Sequence, residues 1–118
     1  MKKIFFTGGS GLLSVNLATL LNKNFNIVLN LHKKRIKIKN TKNIKIDLLN
    51  NSMLKSFCLR TKPDIIVHTA AISDIEYCET YKKKCRLVNF EITKNISKVC
   101  KLFNIKLIFI STCLLYTS

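Results

Sequence analysis

The chain has 118 residues, 47% of them hydrophobic, and 21 basic residues against 6 acidic ones give it a formal net charge of +15. That length holds one domain with a real core and excludes two, while the apolar content excludes a disordered chain, which lacks the surface needed to offset its ordering entropy. The charge suggests a nucleic-acid or membrane partner, but only Arg35, Arg60 and Arg86 are arginines, and the lysine excess comes with many Ile and Asn residues, as codon bias toward A and T would produce; a phosphate-reading surface would favour bidentate arginine, so no nucleic-acid partner is expected.

The opening, MKKIFFTGGS, imitates a secretion signal. Residues 7–10 break the apolar run, however, and no small-residue cleavage site follows cleanly. No uninterrupted apolar stretch approaches membrane-spanning length, so no membrane partner and a cytoplasmic chain are expected. Residues 3–7 read as a short buried strand, followed by glycines. A helix starting near Gly11 puts Leu13, Leu17, Leu20 and Leu21 on one apolar face, widened by Leu12, Val15 and Ala18. Residues 25–31 form a second strand. The basic connection that follows has Ile36 and Ile38 alternating, as in a weak edge strand. Residues 43–47 read as a third strand. Met53, Leu54, Phe57 and Cys58 then mark a helix that must stop before Pro63.

Residues 64–69, DIIVHT, form a fourth strand whose near-continuous apolar character implies cover on both faces. A loop leads to a long helix over residues 82–103, with Leu87, Val88, Ile92, Ile96, Val99, Cys100 and Phe103 at helical spacing. Residues 106–111 form a fifth strand. Strands alternating with helices indicate an α/β fold, a doubly wound parallel sheet with strand order 3-2-1-4-5.

The stretch TGGSGLLS at 7–14 is nearly a dinucleotide-binding turn, lying between a strand and a helix. Unpaired N–H groups and the helix dipole favour a pyrophosphate there. Gly8 permits the tight turn and Gly11 lets the backbone approach the phosphates. Ser14 stands where a third glycine would serve helix–strand packing. A Walker loop is excluded, because no Gly-Lys-Ser/Thr sequence follows.

At the end of the second strand, where an acidic residue would grip the ribose of NAD, the chain offers Asn30, His32, Lys33 and Lys34. Nothing there repels a 2′-phosphate, which leans the cofactor toward NADPH over NADH, although a solvated basic loop reads equally well. Asp47 could accept from an adenine amino group or cap the next helix. His68, inside an apolar strand, reads as a packed core histidine rather than a catalyst. Ser111 and Thr112 end the fifth strand at the sheet edge where open α/β folds bind ligands. Cys58, Cys78, Cys85, Cys100 and Cys113 show no C-x-x-C pair, so no metal site is suggested; reduced thiols, most of them buried, are expected.

In order and spacing, TGGSGLLS, IDLLN at 46–50, KPDIIVHTAAISDIEYCE at 62–79, VNFEITKNISKVCK at 88–101 and KLIFIST at 106–112 resemble an extended short-chain dehydrogenase/reductase. Within that superfamily they are most similar to the dTDP-4-dehydrorhamnose reductase group. The resemblance implies a Rossmann-like domain over residues 1–112, with Gly8, Ser10, Gly11, Leu12 and Leu13 around the pyrophosphate and Asp47 with Leu48 beside the adenine. It implies that Thr69, Ala70 and Ala71 line the ribose and nicotinamide, with Ser111 at the same edge. Glu76 and Glu79 match an acidic pair of the group and Asn89 its Val-Asn segment. Thr112 matches the hydroxyl residue that assists the catalytic tyrosine.

The implied reaction is reduction of a nucleotide-activated 4-keto-deoxysugar by a nicotinamide cofactor, with a nucleotide sugar as substrate and a homodimer as one open oligomeric state. A sugar-nucleotide epimerase or dehydratase of the same superfamily, or a non-catalytic nucleotide-binding regulatory subunit, are the alternatives. Two departures stand out. The third glycine is Ser14, and after Thr112 the chain reads CLLYTS, with no Tyr-x-x-x-Lys pair, since Tyr116 has no lysine after it. The expectation is therefore a truncated, inactive part of a longer enzyme, with 113–118 a non-native tail.

Overall fold

Apolar runs of four or five residues, bounded by glycine, asparagine or proline, are too short for stable helices and pair instead as strands. In the computed structural model, which describes residues 1–8, 12–30, 40–68 and 82–110, these runs are β1 (Lys3–Phe6), β2 (Asn26–Asn30), β4 (Ile65–His68) and β5 (Lys106–Phe109). The polar β3 (Thr41–Ile44) joins them as an edge. All pairings are parallel, in the order β3-β2-β1-β4-β5, with Phe5 flanked by Val28 and Ile66. The helices are α1 (Leu12–Leu21), α2 (Asn51–Thr61) and α3 (Lys82–Phe103).

Alternation along each strand divides the core in two. Phe5, Val28 and Ile66 face α2 and α3, packing with Leu54, Phe57 and Cys58 of α2 and Ile92, Ile96, Val99 and Cys100 of α3. The rings of Phe5 and Phe57 lie 4.6 Å apart. Ile4, Phe6, Ile27, Leu29 and Val67 face the other way, onto Ala18, Leu17 and Leu21 of α1. Helices thus cover both faces, which is the Rossmann-like, doubly wound arrangement expected from the alternating elements.

Three expectations are corrected. Leu20 is 74% exposed, because α1 approaches the sheet through the fully buried Ala18 and Leu20 projects from the opposite side, two residues of about 100° each further on. Leu87 is 65% exposed for the same reason, since its position is half a revolution from Ile96 at about 100° per residue. The third strand runs over Thr41–Ile44 instead of reaching residue 47. Its register sets Asn30 opposite Ile44, and there β2 ends. Ile36 and Ile38 lie outside the described residues.

The polar termini of α2 explain its limits. Asn50 caps it, its Oδ1 accepting from the Met53 N–H at 3.1 Å. Lys62 ends it in the left-handed region (φ 50, ψ 60), its N–H donating to the Cys58 carbonyl at 2.9 Å before Pro63 prevents continuation. On the buried face of α2, Cys58 has its thiol pushed up to about 12 by burial and then by Cys100, and burial raises Cys100 to about 11. Both therefore stay protonated and unreactive at neutral pH. No described helix is long and apolar enough to cross a membrane.

Because Lys62 is exposed and holds a left-handed conformation that a Cβ disfavours, Lys62→Gly should raise unfolding free energy by about 0.5–1 kcal/mol in urea titration. A loss of stability would mean that the lysine side chain contributes more than the backbone strain costs.

Candidate functional site at the carboxyl edge

Parallel pairing gathers every strand's carboxyl end on one edge. Described chain leaves that edge at Gly8 after β1, Asn30 after β2, His68 after β4 and Ile110 after β5. Ser10, Gly11, His32, Lys33, Lys34, Thr69, Ala70, Ala71, Glu76, Glu79, Ser111 and Thr112 lie outside the described residues. Gly8, Leu12, Leu13, Asp47, Leu48 and Asn89 lie within them, though the side chains of Leu12 and Leu13 are not described.

At the first of these exits, the Thr7 N–H donates to the Val67 carbonyl at 3.1 Å, carrying the β1–β4 ladder one residue past β1. Gly8 follows without a positive φ, so backbone conformation does not demand glycine there. Helix α1 begins at Leu12 with no acidic residue in its first turn to neutralise its N-terminal field, which favours an anion.

Asn30 is 6% exposed and does more than lack a charge. Its Oδ1 accepts from the Ile46 N–H at 2.8 Å and its Nδ2 donates to the Ile46 carbonyl at 3.2 Å. The side-chain amide thus continues the ladder beyond the end of β3, holding residues 45–47 against β2. Beyond it, exposed Asp47 forms a turn of its own, with Oδ1 accepting from the Leu49 N–H at 3.0 Å and its carbonyl from the Asn50 N–H at 2.9 Å. The helix cap is Asn50, not Asp47. Leu48 turns its side chain into the core, while its carbonyl accepts from Asn95 Nδ2 at 3.1 Å.

The histidine behaves as a core residue. His68 is 3% exposed, with Nδ1 2.8 Å from Thr7 Oγ1 and Nε2 3.1 Å from Thr93 Oγ1. Burial lowers its pKa to about 4. One turn before Thr93 on α3, half-buried Asn89 has a buried Oδ1 with no hydrogen-bond partner among the described residues. A buried acceptor of this kind, near the strand ends, is open to a donor from a bound group.

Sequence reasoning missed Asn30 as a clasp, and also Asn95 and Thr93. Position 95 shares the buried stripe of Ile92, Ile96 and Val99, and a polar residue on such a stripe signals a buried hydrogen bond. Thr93 gave no comparable signal. A depression of about 350 Å³, lined by Lys62, Pro63, Asp64, Asn104 and Ile105, lies at the opposite, amino edge, where β4 and β5 begin. It is remote from all of these groups. Among the described residues no cluster of His, Cys, Asp and Glu could hold a metal ion.

The folded protein keeps His68 neutral down to about pH 4, whereas the unfolded chain protonates it below 6.5. Unfolding therefore takes up a proton in that window, and His68 should lower stability by up to about 3 kcal/mol as pH falls from 6.5 to 4. Denaturation of His68→Gln across this range should show a correspondingly shallower decline; an identical slope would mean that the ring titrates normally.

The fold recurs in solved structures. A hypothetical dTDP-4-dehydrorhamnose reductase from Sulfolobus tokodaii superposes with a TM-score of 0.78 and 28% identity, covering 94% of this chain and 39% of that one. A UDP-glucose 4-epimerase from Bifidobacterium longum, in complex with NAD+ and UDP, gives 0.82 with 19% identity, over 98% and 38% of the two chains. The UDP-Glc/GlcNAc 4-epimerase of Campylobacter jejuni gives 0.80 with 25% identity, over 92% and 36%. The chain therefore spans well under half the length of each. No curated protein matches it. The family model of the RmlD substrate binding domain matches residues 1–117, and the chain belongs to that family.

Proposed function

We propose that the chain is the dinucleotide-binding part of an oxidoreductase that reduces a nucleotide-activated 4-keto-deoxysugar, using NADPH or NADH. The observation that carries this reading is the family match across residues 1–117. The 28% identity to a protein described as a dTDP-4-dehydrorhamnose reductase supports the choice of substrate class. The start of α1 without an acidic residue in its first turn, the glycine at position 8, and an Asn89 Oδ1 with no partner among the described residues support a bound dinucleotide.

In this reading Gly8, Ser10, Gly11 and the backbone of Leu12 and Leu13 hold the pyrophosphate. The exposed Asp47 carboxylate and the backbone at Leu48 meet the adenine. Thr69, Ala70 and Ala71 line the ribose and nicotinamide, beside Ser111. The bound nicotinamide would supply hydride to the sugar's carbonyl carbon. Thr112 would hydrogen-bond near that carbonyl. The tyrosine that donates the proton, and the lysine that tunes it, are not among these 118 residues, so no turnover is assigned to the chain alone. Asn30 offers no carboxylate to a ribose and is committed to Ile46, and His32 and Lys33 follow it; NADPH is therefore preferred. A reducing cytoplasm and a homodimer belong to the same reading.

An epimerase is the second reading, favoured by the 25% identity to the Campylobacter jejuni enzyme. Proton-transfer residues outside these 118 would distinguish the two.

Fluorescence titration of the chain with NADPH should give saturable binding. Gly8→Val should weaken it about tenfold or more by filling the space over the strand end. Absence of binding to the unaltered chain, or equal binding by the variant, would contradict the reading.

A further inference from the structure

Among the buried polar side chains at the carboxyl edge, His68 reaches two separate elements with its two ring nitrogens. Nδ1 meets Thr7, the residue before Gly8, and Nε2 meets Thr93 on α3. The Phe109 ring lies 5.3 Å from the imidazole, tilted by 47°, so β1, β4, β5 and α3 converge on it. A neutral imidazole has one donor and one acceptor, and a hydroxyl can be either, so the two threonines satisfy the ring in either tautomer.

Sheet integrity does not need this arrangement. Backbone pairing already joins β1 to β4 from Ile4–Ile65 to Phe6–Val67, and the Thr7 N–H extends it. An apolar side chain would remove both ring hydrogen bonds and with them the link from Thr7 to α3. That link has a place in the site. Thr7 leads directly into the turn at Gly8, and Thr93 lies one helical turn from Asn89 and its unpartnered buried oxygen. The next polar contact along α3, from Asn95 to the carbonyls of Leu48 and Leu49, holds the segment carrying Asp47.

We propose that His68 is a positioning residue of the dinucleotide site, holding the glycine turn at a fixed distance from α3 through the Thr7–His68–Thr93 chain of hydrogen bonds. The proposal rests on the reading of that turn as the cofactor site. His68 acts from beneath: it touches no cofactor and takes no part in proton transfer. Its low pKa keeps the ring neutral, so the hydrogen-bond chain is the same throughout the neutral range. Helix α3, packed mainly through Ile92, Ile96 and Val99, then acts as the fixed support against which the turn is held.

Thr93→Val tests this best, because it removes the distant hydroxyl, keeps the side-chain shape and lies outside the proposed cofactor contacts. Thr93→Ser restores the hydroxyl. Both variants are measured at a temperature where circular dichroism shows them fully folded. NADPH should bind Thr93→Val about five- to tenfold more weakly, the effect of one lost buried hydrogen bond, and Thr93→Ser within about twofold of the unaltered chain. In the absence of cofactor, hydrogen exchange at the Gly8 amide should be about tenfold faster in Thr93→Val only.

A merely structural role would lower the melting temperature of Thr93→Val while leaving both the affinity of the folded protein and Gly8 exchange unchanged, and that result overturns the proposal. Failure of the unaltered chain to bind NADPH or NADH would instead overturn the cofactor reading. The exchange comparison would still decide whether the ring holds the turn.

Discussion

A parallel sheet covered by helices on both faces leaves one edge where backbone can meet a ligand, and that edge has to be held in place by something other than the sheet's own ladder. Strands of four or five residues leave little ladder to spare here. Polar side chains extend it. The Asn30 amide pairs with both backbone groups of Ile46, Asn95 takes the carbonyls of Leu48 and Leu49, and His68 joins Thr7 to Thr93. Each is a buried or part-buried group that would cost stability if left unpaired, so each fixes a geometry as well as satisfying its own atoms.

The same logic separates the carboxyl edge from the amino edge. The amino edge has a depression, but its lining is Lys62, Pro63, Asp64 and Asn104, residues that terminate helices and begin strands. Asp64 there accepts from the Lys3 N–H at 2.8 Å, closing the edge with a structural contact. Polar groups at the amino edge are spent on ending elements. Those at the carboxyl edge hold backbone in place, and among the described residues the Asn89 Oδ1 there has no partner.

Much of this was legible in the sequence, and the parts that were not have physical reasons. The long helix was placed at residues 82–103, where it is found, because its apolar spacing is dense and consistent. Strand order followed from alternation of element types. The third strand was placed too far along because Ile44 and Ile46 alternate like strand residues. Ile46 is indeed paired, but by the Asn30 side chain in place of a strand backbone. Leu20 and Leu87 sit at apolar positions that sequence spacing cannot tell from the buried stripe, because each helix offers more apolar positions than one sheet face can cover and only packing selects among them. Asparagine, so frequent here, carried little positional information, yet Asn30, Asn50 and Asn95 each fasten backbone and Asn89 carries the open acceptor. His68 was read as a packed core residue, and so it is; the pair of threonines it joins could not be seen until β1, β4 and α3 were brought together.

Dinucleotide binding at this carboxyl edge is open to backbone amide NMR of the 118-residue chain titrated with NADPH. Shifts concentrated at Thr7, Gly8, the first turn of α1, Asp47, His68 and Asn89, with Lys62, Asp64 and Asn104 unmoved, are the expected result. Shifts centred on the amino edge, or none at saturating NADPH or NADH, would contradict it.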